Sequence, residues 1–190
     1  MVADMSSDIL SRAMDFNAFD LIYAGAQKNI GAAGVTILVV NKNILGKIKR
    51  NIPTMMDYRN HIAEGSMLNT PPVFAVYTCM LTLRWLKKQG GVNAIEKLNN
   101  EKAALLYAEI YRNELFTGTV EKADRSKMNA CFVMNDASRE AAFLQYATDN
   151  NIIGIKGHRS VGGFRASLYN AMPISSVQYL VQLMHAFEGM

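Results

Sequence analysis

The stretch Ile22-Tyr23-Ala24-Gly25-Ala26-Gln27-Lys28-Asn29-Ile30-Gly31 decides how the chain is read. It sets a single lysine in a loop of small residues between two apolar runs, Leu21-Ile22-Tyr23-Ala24 and Val35-Thr36-Ile37-Leu38-Val39-Val40. The second run is rich in β-branched residues and stops at Asn41-Lys42-Asn43, which predicts a strand buried on both faces. On pattern alone, Lys28 reads as a surface lysine on a hairpin. A hairpin tip needs only one or two glycines, however, whereas Gly25, Ala26, Gly31, Ala32, Ala33 and Gly34 clear bulk on both sides of the lysine. Such clearance suits a large planar group lying against the backbone. A lysine held in a drier setting loses part of its charged form, and its neutral amine can form a Schiff base.

Composition bounds the alternatives. Of 190 residues, 50% are hydrophobic and 19% charged, which supplies a buried core and excludes a disordered chain. No uncharged apolar run approaches the ~20 residues of a membrane span. Met1 to Asp8 lacks the basic stretch and apolar core of a signal peptide, so a cytoplasmic protein is expected. The net charge of +4 is scattered. Its densest group, Lys47, Lys49 and Arg50 between Ile48 and Ile52, predicts a solvated helix face and not a nucleic-acid patch. Cys79 and Cys131 lie in apolar segments and predict buried thiols. Neither they nor His61, His158 and His185 fall at disulfide-framework or metal-ligand spacing.

Residues 51 to 72 read as irregular, broken by Pro53 and Pro71-Pro72, with Thr70 placed to cap the helix that the prolines open. That helix is predicted from Val73 to Lys88, ending at Gly90-Gly91, and a second from Val92 to about Glu114. Thereafter strand-like segments (Thr117 to Val120, Ala130 to Met134, Ile152 to Ile155, Gly163 to Tyr169) alternate with helices at about Ser138 to Thr148 and Ile174 to Glu188. Asp136 or Ser138 caps the first of these, and Pro173 or Ser175 opens the second. The later part is an α+β module after an α/β piece. The start at Met1-Val2-Ala3-Asp4 reads as the interior of a strand whose neighbours lie outside the chain.

Four motifs in order, Ala3-Asp4-Met5-Ser6-Ser7, Tyr23 to Gly31, Gly65-Ser66-Met67-Leu68-Asn69-Thr70-Pro71-Pro72, and Gly157 to Ser167, span the chain. Through them it closely resembles the phosphoserine aminotransferases, class-V pyridoxal-phosphate enzymes of fold type I. The resemblance implies an α/β fold: residues 1–91 would be the C-terminal portion of the cofactor-binding large domain, and 92–190 a small C-terminal domain. Ala13 and Ala32 stand where the family usually has proline, which touches loop rigidity and not the chemistry.

The resemblance also implies roles. Lys28 would bind the cofactor aldehyde of pyridoxal 5'-phosphate and carry the proton between the substrate α-carbon and the cofactor. Asp4 would pair with the pyridine nitrogen, keeping the ring protonated and electron-withdrawing. Gln27 would contact the cofactor phosphate. Asn69 and Thr70 would reach the cofactor phosphate of the other subunit, which implies a homodimer with shared sites. Arg165 would clamp the substrate α-carboxylate, and His158 and Arg159 the substrate phosphate. The implied reaction is amino transfer between glutamate and 3-phosphohydroxypyruvate, giving 2-oxoglutarate and O-phosphoserine, a step of serine biosynthesis with a related role in pyridoxine biosynthesis.

Members of the family are roughly twice this length, so the chain is expected to be the C-terminal half and inactive alone. The ring-stacking aromatic, a second phosphate-binding segment and a substrate-phosphate arginine would lie elsewhere. Two other readings stand beside this one. The first is another aminotransferase of the same fold, a serine–glyoxylate or cysteine-desulfurase relative, against which His158-Arg159 speaks. The second is a folded remnant without catalysis, against which the retention of Lys28, Asp4 and Arg165 speaks.

Overall fold

Strand β1 (Val2–Asp4) has a neighbour within the chain, contrary to expectation: it pairs in parallel with β2 (Leu21–Gly25), and β2 pairs antiparallel with β3 (Thr36–Val40), giving a sheet of order β1-β2-β3. The computed structural model describes all 190 residues, in two units, Met1–Gln89 and Gly90–Met190. In the first unit the buried face of β2 presents Ile22 and Ala24 to Met5, Ile9, Ala26, Ile30 and Cys79. Tyr23 points to the opposite, exposed face, as the period of two requires.

β3 is not buried on both faces. It pairs only with β2, and Leu38 is 40% exposed. Its apolar run therefore marks an edge strand in this chain. Residues 51 to 72 are more ordered than their sequence suggests: a 3-10 turn at Thr54–Met56 leads into the short helix α1 (Tyr58–Ala63). Asp57 caps α1 by accepting the Arg59 N–H at 3.0 Å, a side chain-to-backbone bond that overrides the weak periodicity of six residues. Lys47, Lys49 and Arg50 are exposed as expected but not helical. They follow Gly46, whose φ of 72° ends the local turn.

Helix α2 (Val73–Lys88) opens behind Pro71-Pro72, with Pro72 and not Thr70 at the N-cap and no side-chain cap bond. Proline presets the backbone but offers no side-chain acceptor, and the first helical residues, Val73 and Phe74, are exposed. The chain turns out of α2 through Gly90 and Gly91, at φ of 94° and 75°, angles that carry little cost only without a Cβ.

The second unit begins with α3 (Gly91–Arg112). It continues with β4 (Phe116–Gly118), β5 (Asn129–Met134), α4 (Glu140–Asp149), β6 (Phe164–Ser167) and α5 (Ile174–Glu188). The strands form an antiparallel sheet of order β4-β5-β6. Ala130, Phe132 and Met134 alternate into a core shared with α3, α4 and α5. Its centre is a group of phenylalanines in edge contact: Phe143 lies 5.0 Å from Phe116, 5.1 Å from Phe164 and 5.1 Å from Phe187. Asp136 starts the turn into α4 by accepting the Ser138 N–H at 2.9 Å. Ile152–Ile155 is not a strand. Asn151 (φ 61°) and Gly154 (φ 78°) bend it, and only Lys156 bridges to Phe164. Cys79 is buried, Cys131 only half-buried, and both are free thiols.

Candidate active site

Because β1 and β2 are parallel, both end at the same edge of their sheet, where α/β sheets place ligands. Asp4 is the last residue of β1, and Lys28 sits just past the end of β2. The lysine loop is tightly made. Ile30 and Gly31 both donate their N–H to Ala26 O, at 2.9 and 2.8 Å, and Ala26 N–H donates to Val35 O at 2.9 Å. Asn29 turns inward and is buried, its Nδ2 donating to Ser7 O at 3.0 Å and Ile9 O at 3.4 Å. The far limb is pinned to α2 where Ala32 N–H donates to Thr78 Oγ1 at 3.2 Å. Gly31 lies so close to α2 that a Cβ would stand 2.8 Å from Cys79 Sγ and 2.9 Å from Cys79 N. The small residues thus serve helix contact as well as clearance.

Lys28 itself is exposed. Its small neighbours open space without covering it, so the drier setting expected from the sequence is not supplied by this unit. Asp4, also exposed, is held below the usual carboxylate range. The Ser6 hydroxyl is the chief cause, followed by the Ser6 N–H (2.8 Å to Oδ1), the Tyr23 hydroxyl and the charge of Lys28. Conversely the Asp4 charge pushes the Tyr23 phenol up. Asp4 at the end of β1 and Lys28 just past β2 thus place opposite charges on the same edge of the sheet, both facing solvent.

Gln27 is exposed, and its carboxamide folds back over Gly25, where a Cβ would be 2.7 Å from Oε1. Asn69 and Thr70 are exposed as well, joined by Asn69 Nδ2 donating to Thr70 O at 3.1 Å. They share no hydrogen bond with Asp4, Gln27 or Lys28. Asn69 instead lines a cavity of about 520 Å³ with Thr36, Leu38, Tyr58 and His61.

His158, Arg159 and Arg165 belong to the second unit. Gly157 N–H donates to Gly163 O at 2.7 Å and closes a loop between them. His158 Nδ1 meets Ser160 Oγ at 2.7 Å, while Arg159 is exposed at the loop tip. Arg165 lies on β6 opposite Cys131, its side chain on the sheet face away from the phenylalanine core. Its guanidinium makes no hydrogen bond or ion pair within the chain, so its fork of donors is available to a planar anion. Ser6, Tyr23 and Asn29 fall inside the motifs quoted above yet carry no assigned role there. A serine two residues after an aspartate was the available signal for Ser6.

The family model for aminotransferase class-V matches residues 1–180. The phosphoserine aminotransferase of Phocaeicola vulgatus is 58% identical over 191 residues, covering 99% of this chain and 54% of that protein. Two solved structures match the fold: phosphoserine aminotransferase from Bacillus circulans subsp. alkalophilus (TM-score 0.94, 41% identity, 98% of this chain and 52% of that one), and the pyridoxal-phosphate-bound enzyme from Trichomonas vaginalis (TM-score 0.91, 38% identity, 97% and 53%). The chain spans about half the length of the curated relatives it matches. With its match running almost end to end, this chain belongs to the class-V aminotransferase family.

Proposed function

We propose that the chain provides the lysine-bearing half of a phosphoserine aminotransferase that uses pyridoxal phosphate to exchange an amino group between glutamate and 3-phosphohydroxypyruvate. The observation that carries this reading is the Asp4–Lys28 arrangement: a carboxylate held below its usual range at the end of β1, which feels the charge of Lys28 just past the end of the parallel strand β2. The two would hold opposite ends of a pyridoxal ring, one its nitrogen and the other its aldehyde carbon. The bound cofactor supplies an electron sink for charge developing at the substrate α-carbon. Asp4 keeps the ring nitrogen protonated by pairing with it. Lys28 Nζ would hold the aldehyde carbon and, when free, would carry a proton to and from the substrate α-carbon. Gln27 would donate to the cofactor phosphate, Asn69 and Thr70 to that of the other subunit; Arg165 would grip the α-carboxylate, and His158 and Arg159 receive the substrate phosphate.

In this reading residues 1–91 are part of the large domain and 92–190 the small domain of a cytoplasmic homodimer. Serine biosynthesis is its setting, with the related phosphorylated substrate of pyridoxine biosynthesis beside it. No helix is long and apolar enough to cross a membrane. The test is reduction with borohydride after incubation with pyridoxal phosphate, with mass spectrometry to find the modified lysine. Labelling at Lys28, lost in Lys28→Ala, is the expected result. Labelling spread over many lysines, or none, overturns the assignment of the site to this chain. Transamination of phosphoserine by the isolated chain is expected to be undetectable, since half of the relatives' length lies outside it.

A further inference from the structure

Lys102, in the middle of α3, is completely buried, a rare place for an ammonium. No carboxylate pairs with it. Its Nζ donates instead to three main-chain carbonyls of the segment joining β6 to α5: Leu168 O at 3.0 Å, Tyr169 O at 2.9 Å and Met172 O at 3.1 Å. One turn earlier on α3, Asn99 Nδ2 donates to Asn170 Oδ1 of the same segment at 2.9 Å, also buried. On the other side Leu168 N–H donates to Met128 O at 2.7 Å, and Ser167 Oγ and Tyr169 Oη reach Asn129 Oδ1. Burial pushes the Lys102 ammonium down to about 8, so at neutral pH all three of its N–H groups remain to serve three carbonyls. An apolar side chain of the same length would fill the space and leave those carbonyls unpaired.

We propose that Lys102 is a positioning residue for Arg165: its ammonium clamps the end of β6 and so holds the strand that presents the guanidinium. The part that concerns carboxylate binding rests on the function proposed above; the clamp itself does not.

The test uses the 190-residue chain labelled with 15N, read by amide exchange and by the Arg165 Nε–Hε resonance, with glutarate as a dicarboxylate probe. In Lys102→Met, exchange at Leu168, Tyr169, Asn170 and Met172 is expected to speed up at least about tenfold relative to β5, and the Arg165 resonance to shift. Glutarate is expected to bind Arg165 at least about fivefold more weakly in the variant. Lys102→Ala with added ethylammonium is expected to recover the wild-type exchange and resonance. Should Lys102→Met fail to fold, the wild-type chain still decides: the Lys102 Nζ signal is expected to be slowly exchanging and scalar-coupled to the three carbonyls. Absence of that signal, an unmoved Arg165, or acceleration spread evenly over the unit overturns the proposal. A wild-type Arg165 that ignores glutarate but shifts in Lys102→Met supports the clamp and sinks the carboxylate reading alone.

Discussion

The Ser6 hydroxyl oxygen accepts the Gly25 N–H at 3.0 Å, tying the turn after β1 to the last residue of β2. With its oxygen so engaged, the Ser6 O–H is directed to the Asp4 carboxylate, which the Ser6 N–H also approaches at 2.8 Å. Ser6→Ala is therefore expected to raise the Asp4 pKa toward the ordinary 3.8. The sign for stability follows: a depressed carboxylate contributes fully above its unfolded value and loses that contribution as pH falls through the folded value. A carbon-13 titration of the Asp4 carboxyl measures the shift. An identical midpoint in wild type and Ser6→Ala rejects the serine as its cause.

Gly31→Ala is expected to disrupt the lysine loop. The added Cβ would meet not only Cys79 Sγ but Cys79 N and Cα, at 2.9 and 3.0 Å, and main-chain atoms of a helix do not step aside. Labelling of Lys28 by pyridoxal phosphate should fall, and pairing Gly31→Ala with Cys79→Ala should not restore it. Restoration by the double variant would place the conflict in the thiol alone.

Phe143→Ala removes the ring on which Phe116, Phe164 and Phe187 converge. Large-to-small changes of this kind in a close-packed core cost about 3–5 kcal/mol, and chemical denaturation of the chain is the measure. A cost below about 1 kcal/mol would show that the cluster repacks.

Asp136 is held below the usual carboxylate range chiefly by the Ser138 hydroxyl and then by the Ser138 N–H. The 3-10 turn Ala137–Arg139 that leads into α4 is accordingly expected to fray as pH drops below 3.8, and in Asp136→Asn far less so, since an amide caps without titrating. Amide exchange at Ser138 to Glu140 against pH separates the two.

The helices most legible from sequence are those with punctuation. Val73–Lys88 lies between a proline pair and a glycine pair, and Ile174–Glu188 follows Pro173. Where local chemistry replaces periodicity, the reading fails. Six residues from Tyr58 carry too little pattern to betray a helix, and the Asp57 cap emerges only from the structure. The apolar run Ile152 to Ile155 looks like a strand only if the positive φ of Asn151 and Gly154 is ignored. At the site, Asp4 and Lys28 were readable as motif residues, whereas their dependence on Ser6, Tyr23 and Asn29 is a matter of tertiary hydrogen bonds. Lys102 and Asn99 were hidden for a different reason. They occupy the buried stripe of α3 with Ile95, Leu106 and Ile110, a face that apolar periodicity alone leaves looking interrupted.

The seat of Cys79 under Gly31 has a practical consequence. Burial pushes its thiol up and leaves little thiolate at neutral pH, so a disulfide reagent can reach it only in moments when the loop lifts from α2. The half-buried Cys131, in the other unit, offers an internal reference. The ratio of the two modification rates is then a stopwatch on the lysine loop. If that stopwatch slows on adding pyridoxal phosphate, ligand binding and loop closure are one event.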